Sequence, residues 1–241
     1  MPRRHPFLQT GGKNVDIALS YREYGSGAPL ILLHGNGEHS GYFDSQIEAL
    51  SRAYRVITVD TRGHGRSPRG TAPFTLEQFA RDLRGFLDAH DLKKVSLLGF
   101  SDGGNIALLF ALHYPQRVDR LILCGANLYP TGLKPLSLLA IDAAWALLTP
   151  LTPLSPGLRR RAELLRLMAC EPHIDPAALA RLTAPTLVVA GTHDVIRARH
   201  TRLIAESLPD ARLCILPGGH SVAADDPAAF NRAVLDFLSE T

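Results

Sequence analysis

The sequence predicts an α/β protein: a mostly parallel, doubly wound sheet with a helical cap inserted into it. Three observations carry that expectation. Short apolar blocks of strand length recur with helix-period segments between them, the alternation of a parallel sheet covered on both faces. One long stretch, about Asn127 to Thr183, contains no such block. Finally, Gly99-Phe100-Ser101-Asp102-Gly103 separates a buried-strand run from an apolar helix, so the chain turns sharply there from strand to helix.

Taken in order, Met1-Pro2-Arg3-Arg4-His5-Pro6 carries positive charge with no apolar run behind it, and no signal peptide is expected. Val15 to Tyr24 alternates loosely and ends in Gly25-Ser26-Gly27, the pattern of an exposed antiparallel strand. The parallel strands are Leu30–Leu33, Val56–Val59, Val95–Leu98, Leu121–Cys124, Leu187–Ala190 and Leu213–Leu216. Between them, Leu76, Phe79, Ala80, Leu83, Phe86 and Leu87 repeat at helical spacing, and Thr75 with Gln78 forms a capping box at that helix's start. Asn105–Leu112 and Ala228–Leu238 are the other core helices. In the strandless stretch, prolines at 130, 135, 150, 153, 156, 172 and 176 punctuate three short helices, 136–149, 157–170 and 176–182. The division is therefore a core of 1–126 and 183–241 with a helical cap, 127–182, over the carboxyl ends of the strands.

Composition narrows the function classes. At 241 residues the chain can build one large core plus an insertion, and 46% hydrophobic with 20% charged residues is ordinary for a soluble globular protein. The net charge is only +3, and the tightest basic cluster, Arg159-Arg160-Arg161, reads as a solvated helix face with no aromatic residues interleaved for base stacking, so no nucleic-acid partner is expected. The longest apolar stretch, Leu136–Leu148, contains Asp142 and is too short to span a bilayer; no membrane partner is expected. Cys124, Cys170 and Cys214 lack metal-ligand spacing, and Cys124 and Cys214 read as small buried hydrophobes in strands, consistent with a reducing cytoplasm. With no His/Cys cluster and no phosphate-gripping glycine loop, no metal and no cofactor are expected, only a small-molecule substrate. Nothing in the sequence fixes an oligomer.

The sharp turn at Ser101 is the centre of the functional reading. Glycines two before and two after it let strand and helix pass without a Cβ clash, pushing the hydroxyl above the sheet at the positive end of the following helix. A serine hydroxyl near neutral pH needs an imidazole to take its proton and a carboxylate to orient that imidazole. Asp194, in Gly191-Thr192-His193-Asp194, and His220, in Pro217-Gly218-Gly219-His220-Ser221, each follow a strand directly and open on the same sheet edge. His34-Gly35-Asn36-Gly37 likewise follows Leu30–Leu33, where the Asn36 N–H can join that of Asp102 to receive an oxyanion. Other candidates receive structural readings. His34 and His64 bond their own loops, and His193 points away from its neighbour. Asp225 and Asp226 cap the last helix, and Arg62 to Arg66 shapes a turn. Leu139, Trp145 and Leu148 form the cap's own core and part of an apolar substrate pocket.

At these residues the chain resembles the α/β-hydrolase fold family over essentially its whole length. The matching segments are His34-Gly35-Asn36-Gly37, Asp60-Thr61-Arg62-Gly63-His64-Gly65-Arg66-Ser67-Pro68, Gly99 to Gly104, Gly191 to Asp194 and Gly219-His220. The resemblance implies a Ser101–His220–Asp194 triad with the Asn36 and Asp102 amides as the oxyanion hole. Some members use an aspartate nucleophile, and serine at 101 argues against their chemistries. Ser-Asp-Gly-Gly is also similar to the elbow of hydrolases resembling valacyclovir hydrolase, where the acidic residue receives a substrate amine. By that resemblance Asp102, with Glu38 adding acidity, would favour amino esters; otherwise Asp102 serves only the helix dipole. The expected activity is a cofactor-free serine hydrolase cleaving a small, mainly apolar carboxylic ester through an acyl-enzyme. The alternatives are a carbon–carbon bond hydrolase, a thioesterase or a perhydrolase with the same triad, and a non-catalytic small-ligand-binding protein on the same fold.

Overall fold

Successive side chains leave a strand on opposite faces, and the strand Pro29–Leu33 (β2) uses both: Ile31 and Leu33 enter one buried cluster, Leu30 and Leu32 another. A computed structural model describes residues 16–240; the Met1–Pro6 segment and Val15, the first residue of the expected opening strand, lie outside the described residues. That opening strand is confined to Tyr21–Tyr24 (β1), half-buried at the sheet edge and antiparallel to Arg55–Val59 (β3). The remaining strands are Val95–Phe100 (β4), Val118–Cys124 (β5), Thr186–Gly191 (β6) and Ala211–Leu216 (β7). Among the described residues they form one seven-stranded sheet in the order β1-β3-β2-β4-β5-β6-β7, parallel except for β1.

One face is covered by Leu76–Ala89 (α2), Asp102–His113 (α3) and Ala198–Ser207 (α6), the other by Asp44–Leu50 (α1), the short Val222–Asp225 (α7) and Pro227–Ser239 (α8). Sequence reasoning did not find α1 and α6, one only seven residues long and the other rich in polar side chains. At α2 the Thr75 side chain accepts from the Gln78 N–H (3.2 Å), but the Gln78 side chain donates to Asp82 (2.9 Å), so only half of the capping box forms. The sheet's other edge also differs from expectation. Leu213 and Ile215 are exposed and Cys214 is only half-buried, β7 being the edge strand among the described residues.

Between β5 and β6 the chain leaves the sheet for Pro135–Leu148 (α4) and Pro156–Cys170 (α5), with 3-10 turns at Pro130–Gly132, Thr149–Leu154 and Pro176–Arg181. The last turn replaces the third expected α-helix. Helix α5 is tied to the core: Glu163 pairs with Arg69 (2.8 Å), and Glu171, just past its end, accepts from the Leu76 N–H (2.7 Å). Helix α4 packs on α5 and contains no buried residue, so the expected cap core of Leu139, Trp145 and Leu148 does not exist. The Thr149–Leu154 turn continues α4, making Pro135–Leu154 a 20-residue run of mean hydropathy 1.4 with none of it buried. By length and composition that run is long enough to cross a membrane, unlike the shorter Leu136–Leu148 stretch read from sequence.

Candidate active site

The turn between β4 and α3 holds Ser101 at φ 52, ψ −119, a region non-glycine residues rarely occupy and which typically costs about 1–3 kcal/mol. Its amide donates to the Cys124 carbonyl (2.8 Å), fixing the turn to β5. The flanking glycines are obligatory: a Cβ on Gly99 would lie 2.2 Å from the Gly103 carbonyl oxygen, and one on Gly103 would lie 2.0 Å from that of Leu33. Backbone passes backbone here with no room for any side chain.

His220 follows β7 and Asp194 follows β6. The His220 Nε2 lies 3.0 Å from the Ser101 Oγ, and its Nδ1 lies 2.7 Å from Asp194 Oδ1. Asp194 is buried and also accepts from the Ile196 N–H (2.8 Å), which aims the carboxylate. A proton on Nδ1, shared with Asp194, leaves the Nε2 lone pair facing the hydroxyl, the arrangement a general base requires. Gly125, at φ +62, closes over this pair: a Cβ there would meet His220 Cε1 at 2.8 Å.

Ser101, Asn36, Asp102 and His220 share the wall of a cavity of about 310 Å³. Neither the Asn36 nor the Asp102 backbone N–H donates to another described residue, so both are free for an oxyanion. The Asn36 side chain donates to Asp102 Oδ2 (2.9 Å) and to the Leu164 carbonyl of α5 (3.1 Å), joining the loop after β2 to both the serine turn and the cap. The other Asp102 oxygen accepts from Asn105 (3.3 Å). Both oxygens thus accept from side-chain amides, and Asp102 also lines the cavity. Burial pushes its pKa up to about 6, reinforced by Glu171 and opposed by the Asn36 hydrogen bond. Glu38 accepts from the Gly35 N–H (3.1 Å) and lines the same cavity. Burial also raises the Glu38 and Glu171 carboxyls, and among the described residues no lysine or arginine lines the cavity.

The other predicted pocket residues are placed differently. Leu139 is 64% exposed, and neither it nor Trp145 lines the cavity; Leu148 lines a neighbouring groove. Instead, Ser137 and Ile141 of α4 face the cavity, with Met168 of α5, Glu171 and Leu133. Glu171, Met168 and Gly125 carry no motif by which sequence could have found them. Ser137 and Ile141 lie on the same helix face as Leu148, at spacings of four and seven, so that face could have been extended backwards.

The structural readings of the rival residues agree with their positions. His34 donates to the Gly35 carbonyl (2.7 Å) and accepts from the Thr61 N–H (3.1 Å); burial lowers His34 and His64 to about 4. Arg62 is wholly buried, bidentate to Asp82 (2.7 Å) and bonded to Asp16. His193 is exposed against Thr192. Asp226 caps α8, but Asp225 instead accepts from the Gly219 N–H (2.8 Å), bracing the His220 loop.

Residues 28–152 match the family model described as alpha/beta hydrolase fold. A protein of a Caulobacter species, named as a carbamate hydrolase, is 33% identical over 87% of this chain and 90% of its own length. A 2-hydroxy-6-oxononadienedioate/2-hydroxy-6-oxononatrienedioate hydrolase of Cupriavidus pinatubonensis is 32% identical over 96% of this chain and 94% of its own. The crystal structure of a hydrolase from Pseudomonas aeruginosa superposes with a TM-score of 0.77 at 32% identity, covering 93% of this chain and 95% of that one.

Proposed function

The chain belongs to the α/β-hydrolase fold family and is a hydrolase, and from that premise we propose that it cleaves carboxylic esters through an acyl-enzyme on Ser101. The observation that supports this most is the unbroken line Ser101 Oγ, His220 Nε2, His220 Nδ1, Asp194 Oδ1, with hydrogen-bond lengths of 3.0 and 2.7 Å. In this reading Ser101 attacks the ester carbonyl while His220 takes its proton. The Asn36 and Asp102 amides receive the oxyanion, and the proton passes from His220 to the leaving alcohol. Water, deprotonated by His220, then attacks the acyl carbonyl; the bond to Ser101 Oγ breaks, Oγ takes the proton back from His220 and the carboxylic acid leaves.

Electrostatics disfavours an anionic substrate around the scissile bond. Among the described residues Glu38, Asp102 and Glu171 line the cavity with no lysine or arginine beside them, so a dianionic substrate such as the nonadienedioate of the Cupriavidus relative would meet like charge in a poorly screened site. An uncharged ester meets none. The membership in a family of hydrolases also sets the ligand-binding reading behind the catalytic one.

The test is a panel of p-nitrophenyl esters, an aryl carbamate, a thioester and a dienone acid, assayed with wild type and Ser101→Ala. Esters should be the best substrates, and the variant should lose at least about 10³-fold in kcat. A variant retaining most of its activity, or a wild type preferring the dienone acid, would overturn the proposal.

A further inference from the structure

A second hollow, about 520 Å³, adjoins the catalytic cavity, and Asn36 and Met168 belong to the walls of both. Its other walls come from α4, the turn that extends it, and α5, chiefly Leu147, Leu148, Leu151, Leu164 and Leu165. Among the described residues, Arg161 is the only charged one along it. Leu147 is 74% exposed and Leu151 44%, although each could have been polar without disturbing any core, since α4 buries nothing. Contiguous exposed apolar surface of this kind marks binding surfaces.

The catalytic cavity alone is short. Its volume of about 310 Å³ is the smaller of the two, against about 520 Å³ for the groove. A longer acyl chain can pass Asn36 and Met168, which both spaces share, into the groove. The cavity's other walls mix Leu133, Ile141 and Ile196 with Glu38, Glu171 and His220, whereas the groove is lined chiefly by leucines.

We propose that the groove receives the far end of the substrate's acyl chain, making the enzyme selective for unbranched aliphatic esters of about eight carbons or more. The inference rests on the ester-hydrolase reading and specifies its substrate. The chain's occupancy follows from continuity: an acyl group bonded to Ser101 has the groove as the extension of its own pocket.

The experiment measures kcat/KM for p-nitrophenyl acetate, butanoate, hexanoate, octanoate and decanoate, all below their micelle concentrations, with wild type and the Leu147→Asp/Leu151→Asp double variant. Both leucines are exposed, so the fold survives their replacement. Wild-type kcat/KM should rise about two- to fourfold per methylene beyond hexanoate, and the double variant should lower the decanoate-to-acetate ratio at least about tenfold. A series flat or falling beyond butanoate, or a ratio unchanged in the variant, overturns the proposal. Calorimetric binding of decanoate and acetate to Ser101→Ala protein reads the groove without catalysis. Tighter decanoate binding supports it even if Ser101→Ala still cleaved esters, the result that would defeat the catalytic reading alone. Equal binding of the two acids overturns it.

Discussion

Gly125→Ala tests the geometry of the catalytic line through a residue that takes no part in the chemistry. At φ +62 an alanine pays about 1–2 kcal/mol of backbone strain. Its Cβ would also lie 2.8 Å from His220 Cε1 and 3.0 Å from Nδ1, where carbon contacts normally begin near ~3.5 Å. The imidazole must therefore retreat by roughly 0.7 Å, and its 3.0 Å bond to Ser101 and 2.7 Å bond to Asp194 cannot both survive that movement. A misplacement approaching 1 Å costs on the order of 10²-fold in rate. The expectation is a drop of about 100-fold in kcat/KM for p-nitrophenyl acetate, with a fall in Tm of about 2–8 °C. Gly27→Ala supplies the control, since Gly27 also has positive φ (+104) and its added Cβ would touch only Ala53, far from the triad. That variant should show a similar Tm loss with wild-type rates. Activity of Gly125→Ala within threefold of wild type would refute the claim that this glycine sets the histidine's position.

Three further outcomes are expected. Asp194→Asn should lower kcat by about 10³–10⁴-fold in the same assay, because an amide facing Nδ1 favours the tautomer whose Nε2 carries the proton and cannot take another; a loss under tenfold would show that Asp194 does not orient the base. Acid should weaken the fold. Burial holds His34 and His64 near 4, against 6.5 when unfolded, so between these values the unfolded chain binds more protons and stability falls as pH falls, by up to about 1.4 kcal/mol per pH unit for each histidine. Asp102, raised to about 6, acts oppositely from pH 6 down to its unfolded value but offsets only one of the two histidines, so urea midpoints should drop from pH 7 to 5 and keep falling, less steeply, to about pH 4; equal midpoints at pH 7 and 5 would contradict neutral, buried histidines. Arg62→Met should remove about 3–5 kcal/mol by stranding buried Asp82, while Arg62→Met/Asp82→Leu recovers most of it; equally unstable single and double variants, compared by urea unfolding, would exclude the stranded charge as the cause.

The sheet and the catalytic line were legible because their residues are dictated locally. A parallel strand buried on both faces must be apolar throughout, so β2 to β6 stand out as blocks. A backbone crossing at 2.2 Å demands glycine at 99 whatever surrounds it. Asp194 and His220 could be singled out because each comes directly after a strand, and the structure brings both to Ser101. Edge strands escaped the same reasoning: β7 is as apolar in sequence as β5, yet it exposes Leu213 and Ile215, and only the strand order reveals that nothing lies beyond it.

Helix α4 shows why the substrate side could not be read in the same way. Amphipathic periodicity identifies a buried face by contrast with a polar one, and α4 offers almost none, since Leu136, Leu138, Leu139, Ile141, Trp145, Leu147 and Leu148 surround the axis. Selecting Leu139 and Trp145 as pocket residues was thus a choice among equals. The structure turns Ser137 and Ile141 toward the cavity and leaves Leu136, Leu139 and Leu147 exposed. That orientation is set from outside the helix, by the anchoring of α5 through Glu163, Glu171 and the Leu164 carbonyl, with α4 laid upon it. The same anchoring reaches the proposed chemistry, because the Asn36 side chain that bonds the Leu164 carbonyl belongs to the residue whose backbone N–H is assigned to the oxyanion in the ester-hydrolase proposal. Substrate shape and oxyanion geometry thus meet in a single asparagine, so a displacement of α5 by a bound chain would be felt at the reacting carbonyl without any change in the triad.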